Sequence, residues 1–102
     1  MMKIRDLYRR DGVWNGQQIV PADWIRQSAS PSTLNDKYGL FWWTIGEPEG
    51  AGYSAVGRGG QHIIVLPKSR AVIVYLSDVQ VGSEIDINDL EPLAKVFVAA
   101  FP

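Results

Sequence analysis

The spacing of apolar positions changes several times along the chain, and each change marks an element. Ile4, Leu7 and Tyr8 recur at i, i+3 and i+4, which predicts a short helix over 3–10. Arg9 and Arg10 fall in its last turn, where they complement the helix dipole, and Gly12 is placed to end it. Asn15-Gly16 lies between the apolar ends Val13-Trp14 and Ile19-Val20, the strongest two-residue hairpin signal. Pro21 opens a second short helix over 22–28, with Trp24, Ile25 and Ser28 sharing its inner face. Ser30-Pro31-Ser32 stops that helix, and residues 31–37 read as polar loop.

Further on, the pattern becomes that of strands. Tyr38 to Ile45 reads as one strand with aromatic residues on both faces. Gly46 to Gly52 reads as loop or linker. Residues 60–66 and 71–77 form a hairpin across Pro67-Lys68-Ser69-Arg70. Ala71 to Leu76 is a nearly continuous apolar run, the mark of a strand covered on both faces. Residues 79–87 read as loop and 89–101 as a closing helix, with Asn88 as N-cap and Glu91 completing a capping box. Its apolar stripe is Leu93, Val96, Phe97 and Ala100, and Pro92 suits only the first turn.

These elements predict an α+β fold. An antiparallel sheet of about three strands (hairpin 60–66/71–77 plus strand 38–45) is flanked by short N-terminal helices and a C-terminal helix. Such a sheet has at least one bare edge, and bare edges recruit other strands. No fourth long strand is evident. The chain therefore reads either as a self-sufficient small domain or as a piece of a larger sheet.

Composition narrows the classes. At 102 residues the prior is one domain, 1–102, and 46% apolar content with four tryptophans fits a globular chain. Ten basic and eleven acidic residues give a net charge of −1, with no basic patch for nucleic acid. There is no cysteine, hence no disulfide framework and no thiolate metal site. The opening residues are too polar for a signal peptide, and no apolar run reaches the ~18 residues of a membrane span. The chain as written is expected in the cytoplasm, with no membrane or nucleic-acid partner and no cofactor.

The candidate chemistry centres on Arg58-Gly59-Gly60-Gln61-His62, preceded by Gly57 and followed by an apolar strand. Glycines let a ligand approach the backbone, and the arginine is a fixed cation beside them, which suits an anion-binding rim. His62 is the chain's one histidine. A Ser/His/Asp site would need it, with Ser54 as nucleophile and Asp78 or Asp36 as orienter, but a partly exposed strand residue is the plainer reading. Asp86, Asp89 and Glu91 form an acidic run that a helix start explains better than a metal. Trp14, Trp24, Trp42 and Trp43 could form a sugar or peptide platform, though packing explains them more simply.

Several segments, in order, carry a resemblance: Asp6-Leu7-Tyr8, Gly12-Val13-Trp14-Asn15-Gly16, Ile19-Val20-Pro21-Ala22-Asp23-Trp24, Tyr38-Gly39-Leu40-Phe41-Trp42-Trp43, and Gly57 through Pro67. Together they resemble the serine β-lactamase-like hydrolases. That group includes class C β-lactamases, D-alanyl-D-alanine carboxypeptidases, related esterases and 6-aminohexanoate-dimer hydrolases. The resemblance spans essentially the whole chain and roughly the C-terminal third of a full-length relative. It implies part of a β-lactamase-like α/β sandwich, amide or ester hydrolysis in the whole protein, and relatives that are often periplasmic or secreted.

In that family a Lys/His-Thr/Ser/Gly-Gly motif lines one wall of the active site. The resemblance places Arg58-Gly59-Gly60 at or beside it, with oxyanion-hole donors around Gln61 and His62. Arg58 departs from the usual lysine or histidine. An arginine is no base at neutral pH, so its role would be recognition. The family's Ser-x-x-Lys nucleophile is absent from the chain, as is Tyr-x-Asn or Ser-x-Asn. The expectation is a C-terminal fragment or subunit, inactive alone, that forms a homodimer or is completed by an N-terminal hydrolase segment at its sheet edge. The alternative is a small stand-alone anion-binding, carboxylate-binding or structural domain.

Overall fold

The computed structural model describes residues 2–45, 52–77 and 87–101. The chain begins with α1, Met2–Arg9. Asp6 links its last turn, accepting hydrogen bonds from Arg9 Nε (2.9 Å), Arg9 Nη2 (2.6 Å) and Arg10 Nε (2.8 Å). The Arg9 bonds, and then the positive field of the two arginines, lower the Asp6 carboxyl below the usual carboxylate range. A depressed pKa contributes stability that is present above the unfolded value and lost as pH falls through the folded one. A small loss of α1 helicity is therefore expected below about pH 4. Circular dichroism of Asp6→Asn should show no such acid step.

Asp11 rather than Gly12 makes the left-handed cap of α1, at φ 50°. Its N–H reaches Tyr8 O, and Gly12 N–H reaches Leu7 O at 2.8 Å, the paired bonds of a Schellman motif. The stripe of α1 is also rotated from expectation. Ile4 faces solvent, and the buried residue is Arg5.

Strands β1, Val13–Trp14, and β2, Gln17–Gln18, form the expected hairpin. Asn15 and Gly16 both have positive φ, as a primed two-residue turn requires. Helix α2, Ala22–Ala29, follows Pro21 and buries Ile25 and Ser28. Trp24 is 47% exposed, so it does not share the inner face.

Tyr38 to Ile45 is not one strand. Gly39 N–H bonds Trp42 O (2.8 Å) and Thr44 N–H bonds Lys37 O (2.9 Å), so the chain doubles back through Leu40 and Phe41. Leu40 N–H is pinned to Ser28 O at the end of α2 (2.8 Å). Only β3, Trp43–Ile45, joins the main sheet.

That sheet has four antiparallel strands in the order β3-β4-β5-β6. The added strand is β4, Gly52–Gly57, paired with β3 on one side and with β5, Gln61–Leu66, on the other. Strand β6, Ala71–Tyr75, closes the expected hairpin with β5. Among the described residues it is an edge strand, and all five of its residues are half-buried rather than covered on both faces.

Helices cover both faces of the sheet. On one side Ile45, Ile64 and Leu66 pack under α3, Ile87–Ala100, through Ala94, Phe97 and Val98. On the other, Trp42, Tyr53 and Val65 pack under Tyr8 of α1 and Ala29 of α2. Helix α3 starts before Asn88, so that residue lies inside the helix and is not its cap. Pro92 sits beyond the first turn, and Val96 points outward where Ala94 points in. Of the loop expected over 79–87, Ile87 instead begins α3, and residues 79–86, like Asp78, lie outside the described residues.

Candidate functional site

Strands β4 and β5 are joined by the three-residue turn Arg58-Gly59-Gly60, closed by the pair Gly57–Gln61. Gly59 and Gly60 have φ of 86° and 70°, a region that glycine enters without a Cβ penalty. The Ser77 hydroxyl donates to Gly59 O (2.5 Å) and Gly60 O (3.3 Å), tying the turn to the chain leaving β6. Arg58 and Gln61 are exposed but Gly59 and Gly60 are buried, so only the cation and the glutamine reach solvent and the glycines do not open the backbone to a ligand as expected.

His62 does not belong to that rim. Strand alternation sends Gln61 and His62 to opposite faces. His62 stands between Val56 and Tyr75 on the α3 side and is 1% exposed, not partly exposed. Ser54 lies on the same face, one strand over and diagonal to His62, and is fully buried. Its hydroxyl makes a long bond to Ala55 O (3.5 Å). Asp36 is on the exposed loop beside β3, where its carbonyl accepts from Thr44, two strands from His62. It does not orient His62, so Ser54, His62 and Asp36 make no triad. Asp78 lies outside the described residues.

The aromatic residues mostly pack. Trp42 meets Tyr8 at 4.8 Å and Tyr53 at 5.0 Å, and Trp43 meets Tyr38 edge-on at 4.9 Å. Burial, with Asp11 and Tyr8 adding to it, raises the Tyr53 phenol well above its ordinary value. Tyr53 is therefore a neutral core residue and not a phenolate base.

Among the described residues, two openings stand out at the sheet margins. Beyond Ser54, the β3 side of β4 has no strand partner among the described residues, so Ala55–Gly57 present a free edge that ends at Arg58. Phe41 stands in the turn before β3, 87% exposed, with φ of 68°. For a bulky side chain that backbone is an outlier of the kind found at functional positions.

The second opening is a groove of about 560 Å³ lined by Met2, Lys3, Asp6, Arg9, Trp14, Arg70 and Val72. Arg5, on the same helix, is 2% exposed, and its Nε and Nη1 have no hydrogen-bond partner. Burial lowers its pKa, yet a guanidinium stays charged at neutral pH. The sequence does not single this residue out, because the stripe Ile4-Leu7-Tyr8 marks a neighbouring face as the apolar one. The available signal was its place three residues before inward-facing Tyr8.

No group of three or more metal-ligating side chains occurs among the described residues, and no described helix is long and apolar enough to cross a membrane. No protein-family model matches the chain, and no curated protein matches it closely enough to count as a relative.

Proposed function

We propose that this chain forms one wall of a serine β-lactamase-like hydrolase site and needs another segment to supply the nucleophile and base. The observation that carries this reading is the free edge Ala55–Gly57 ending at exposed Arg58 on a glycine turn. An extended acyl group can pair with a free strand edge, and a guanidinium fork suits a carboxylate at its end. The ordered sequence segments supply the family comparison, and the missing Ser-x-x-Lys implies inactivity alone.

The sheet's other edge supports an incomplete domain. Strand β6 is Ala-Val-Ile-Val-Tyr throughout, without the lysine, proline or bulge that usually protects an edge. Without a complement, this edge favours a homodimer. A monodisperse monomer by light scattering at high concentration would remove that part of the reading.

The test has two arms. The chain alone should hydrolyse a nitrophenyl ester no faster than buffer. Mixed with a β-lactamase-like N-terminal segment carrying Ser-x-x-Lys and Tyr-x-Asn, it should gain turnover. Arg58→Ala should then raise KM for an acyl-D-alanine by about tenfold, the scale of one charge-assisted hydrogen bond. An unchanged KM would remove Arg58 from recognition.

The tied turn favours one alternative, a stand-alone carboxylate-binding domain. In that case the chain alone should bind acetyl-D-alanine, and Arg58→Ala should abolish the binding.

A further inference from the structure

We propose that the groove between α1 and β6 receives an acidic side chain from a strand that adds to the free edge of β6. The inference rests on the reading that another segment completes this sheet, and it specifies a chemical feature of that segment.

Groove and edge lie on the same side of the sheet. Val72 lines the groove and pairs with Val65, a residue of the face under α1. Successive strand residues alternate in direction, so a residue placed opposite Val72 on an added strand would point to the α1 side. Its side chain would enter the groove.

The charges there lack an anion. Asp6 is taken by Arg9 and Arg10. Among the described residues, neither Lys3 nor Arg70 makes an ion pair. Arg5 lies three residues after Met2 and four before Arg9, both of which line the groove, so helix spacing puts all three on adjoining faces. Arg5 itself is buried behind that lining, so the cations that reach the groove without an acidic partner are Lys3 and Arg70. A carboxylate matches the Arg70 guanidinium fork in shape as well as sign, and Lys3 adds a second positive charge beside it. The Met2, Trp14 and Val72 surfaces would take the stem of that side chain.

Short peptides of alternating valine and threonine, with glutamate or glutamine at one central position, provide the test. Such peptides can slide in register until the acid finds the groove. The glutamate peptide should slow amide exchange across Ala71–Tyr75. It should also bind about tenfold more tightly than the glutamine peptide at low salt, the effect of one charge-assisted contact. Arg70→Ala and Lys3→Ala, both groove-lining changes outside the buried core, should each shrink that ratio, and 1 M sodium chloride should largely erase it. Equal binding with β6 protected would overturn the acidic-residue inference while leaving the incomplete-sheet reading intact. Absence of β6 protection by either peptide at millimolar concentration would overturn both.

Discussion

Arg5→Met is expected to make the isolated chain more stable, by about 1–4 kcal/mol. Arg5 is 2% exposed, and two of its guanidinium nitrogens lack partners. Methionine keeps much of the length and apolar stem while removing the charge. Replacing buried ionic groups by apolar ones of similar volume is neutral or stabilising, because the desolvation cost disappears. For a domain of this size each kcal/mol shifts the thermal midpoint by about 4–8 °C, so calorimetry would resolve the gain. A lower midpoint would mean that Arg5 contributes more through its stem packing than burial of its head costs.

Gly12→Ala is expected to destabilise the chain by roughly 3 kcal/mol or more. Gly12 has φ of 84°, and a Cβ there would lie 2.0 Å from Val20 O. Its own carbonyl accepts from Ile19 N–H (2.8 Å) and Val20 N–H (3.2 Å), so Val20 cannot retreat without breaking the connection between hairpin and helix. The left-handed backbone alone costs an L-residue about 1–2 kcal/mol. Gly16→Ala isolates that part, because Gly16 has φ of 77° and no neighbour within 4 Å of an added Cβ. Urea titrations should show Gly16→Ala losing only the smaller amount. Equal losses would mean that the overlap at Gly12 relaxes freely.

The elements read correctly from the sequence were those set by local chemistry. Asn15-Gly16 can hardly be anything but a turn, and Pro67 to Arg70 between two apolar runs makes a hairpin. The errors arose where tertiary contacts decide. Gly52-Tyr53-Ser54-Ala55-Val56-Gly57 has glycines at both ends and small residues within, so little marks it as a strand. It is a strand because β3 and β5 pair with it on either side. Tyr38 to Trp43 has the aromatic content of a strand, but the bond from Leu40 N–H to Ser28 O folds it back.

The candidate site was legible in part. Glycines on both sides of Arg58 predicted an exposed cation on a tight turn, and Arg58 lies there. The burial of His62 followed from a register that local sequence does not reveal, since one residue's shift sends a side chain to the opposite face. The unpartnered Arg5 was hidden for a similar reason, because an arginine on a short basic helix is ordinarily solvated. In α3 the substitution of Ala94 for Val96 as the inward residue reflects close approach: a small side chain lets the helix settle against Ile64 and Leu66.

The position of α3 in the chain also affects how the protein is made. Ile64 and Leu66 leave the ribosome well before Ala94, Phe97 and Val98, the residues that cover them. At synthesis rates of about 5–20 residues per second, that interval lasts on the order of a second or more. During it, α1 and α2 can already cover one face while the other stays bare. The nascent sheet is therefore most exposed to chaperones, and to neighbouring chains, after β6 has emerged and before α3 follows it out.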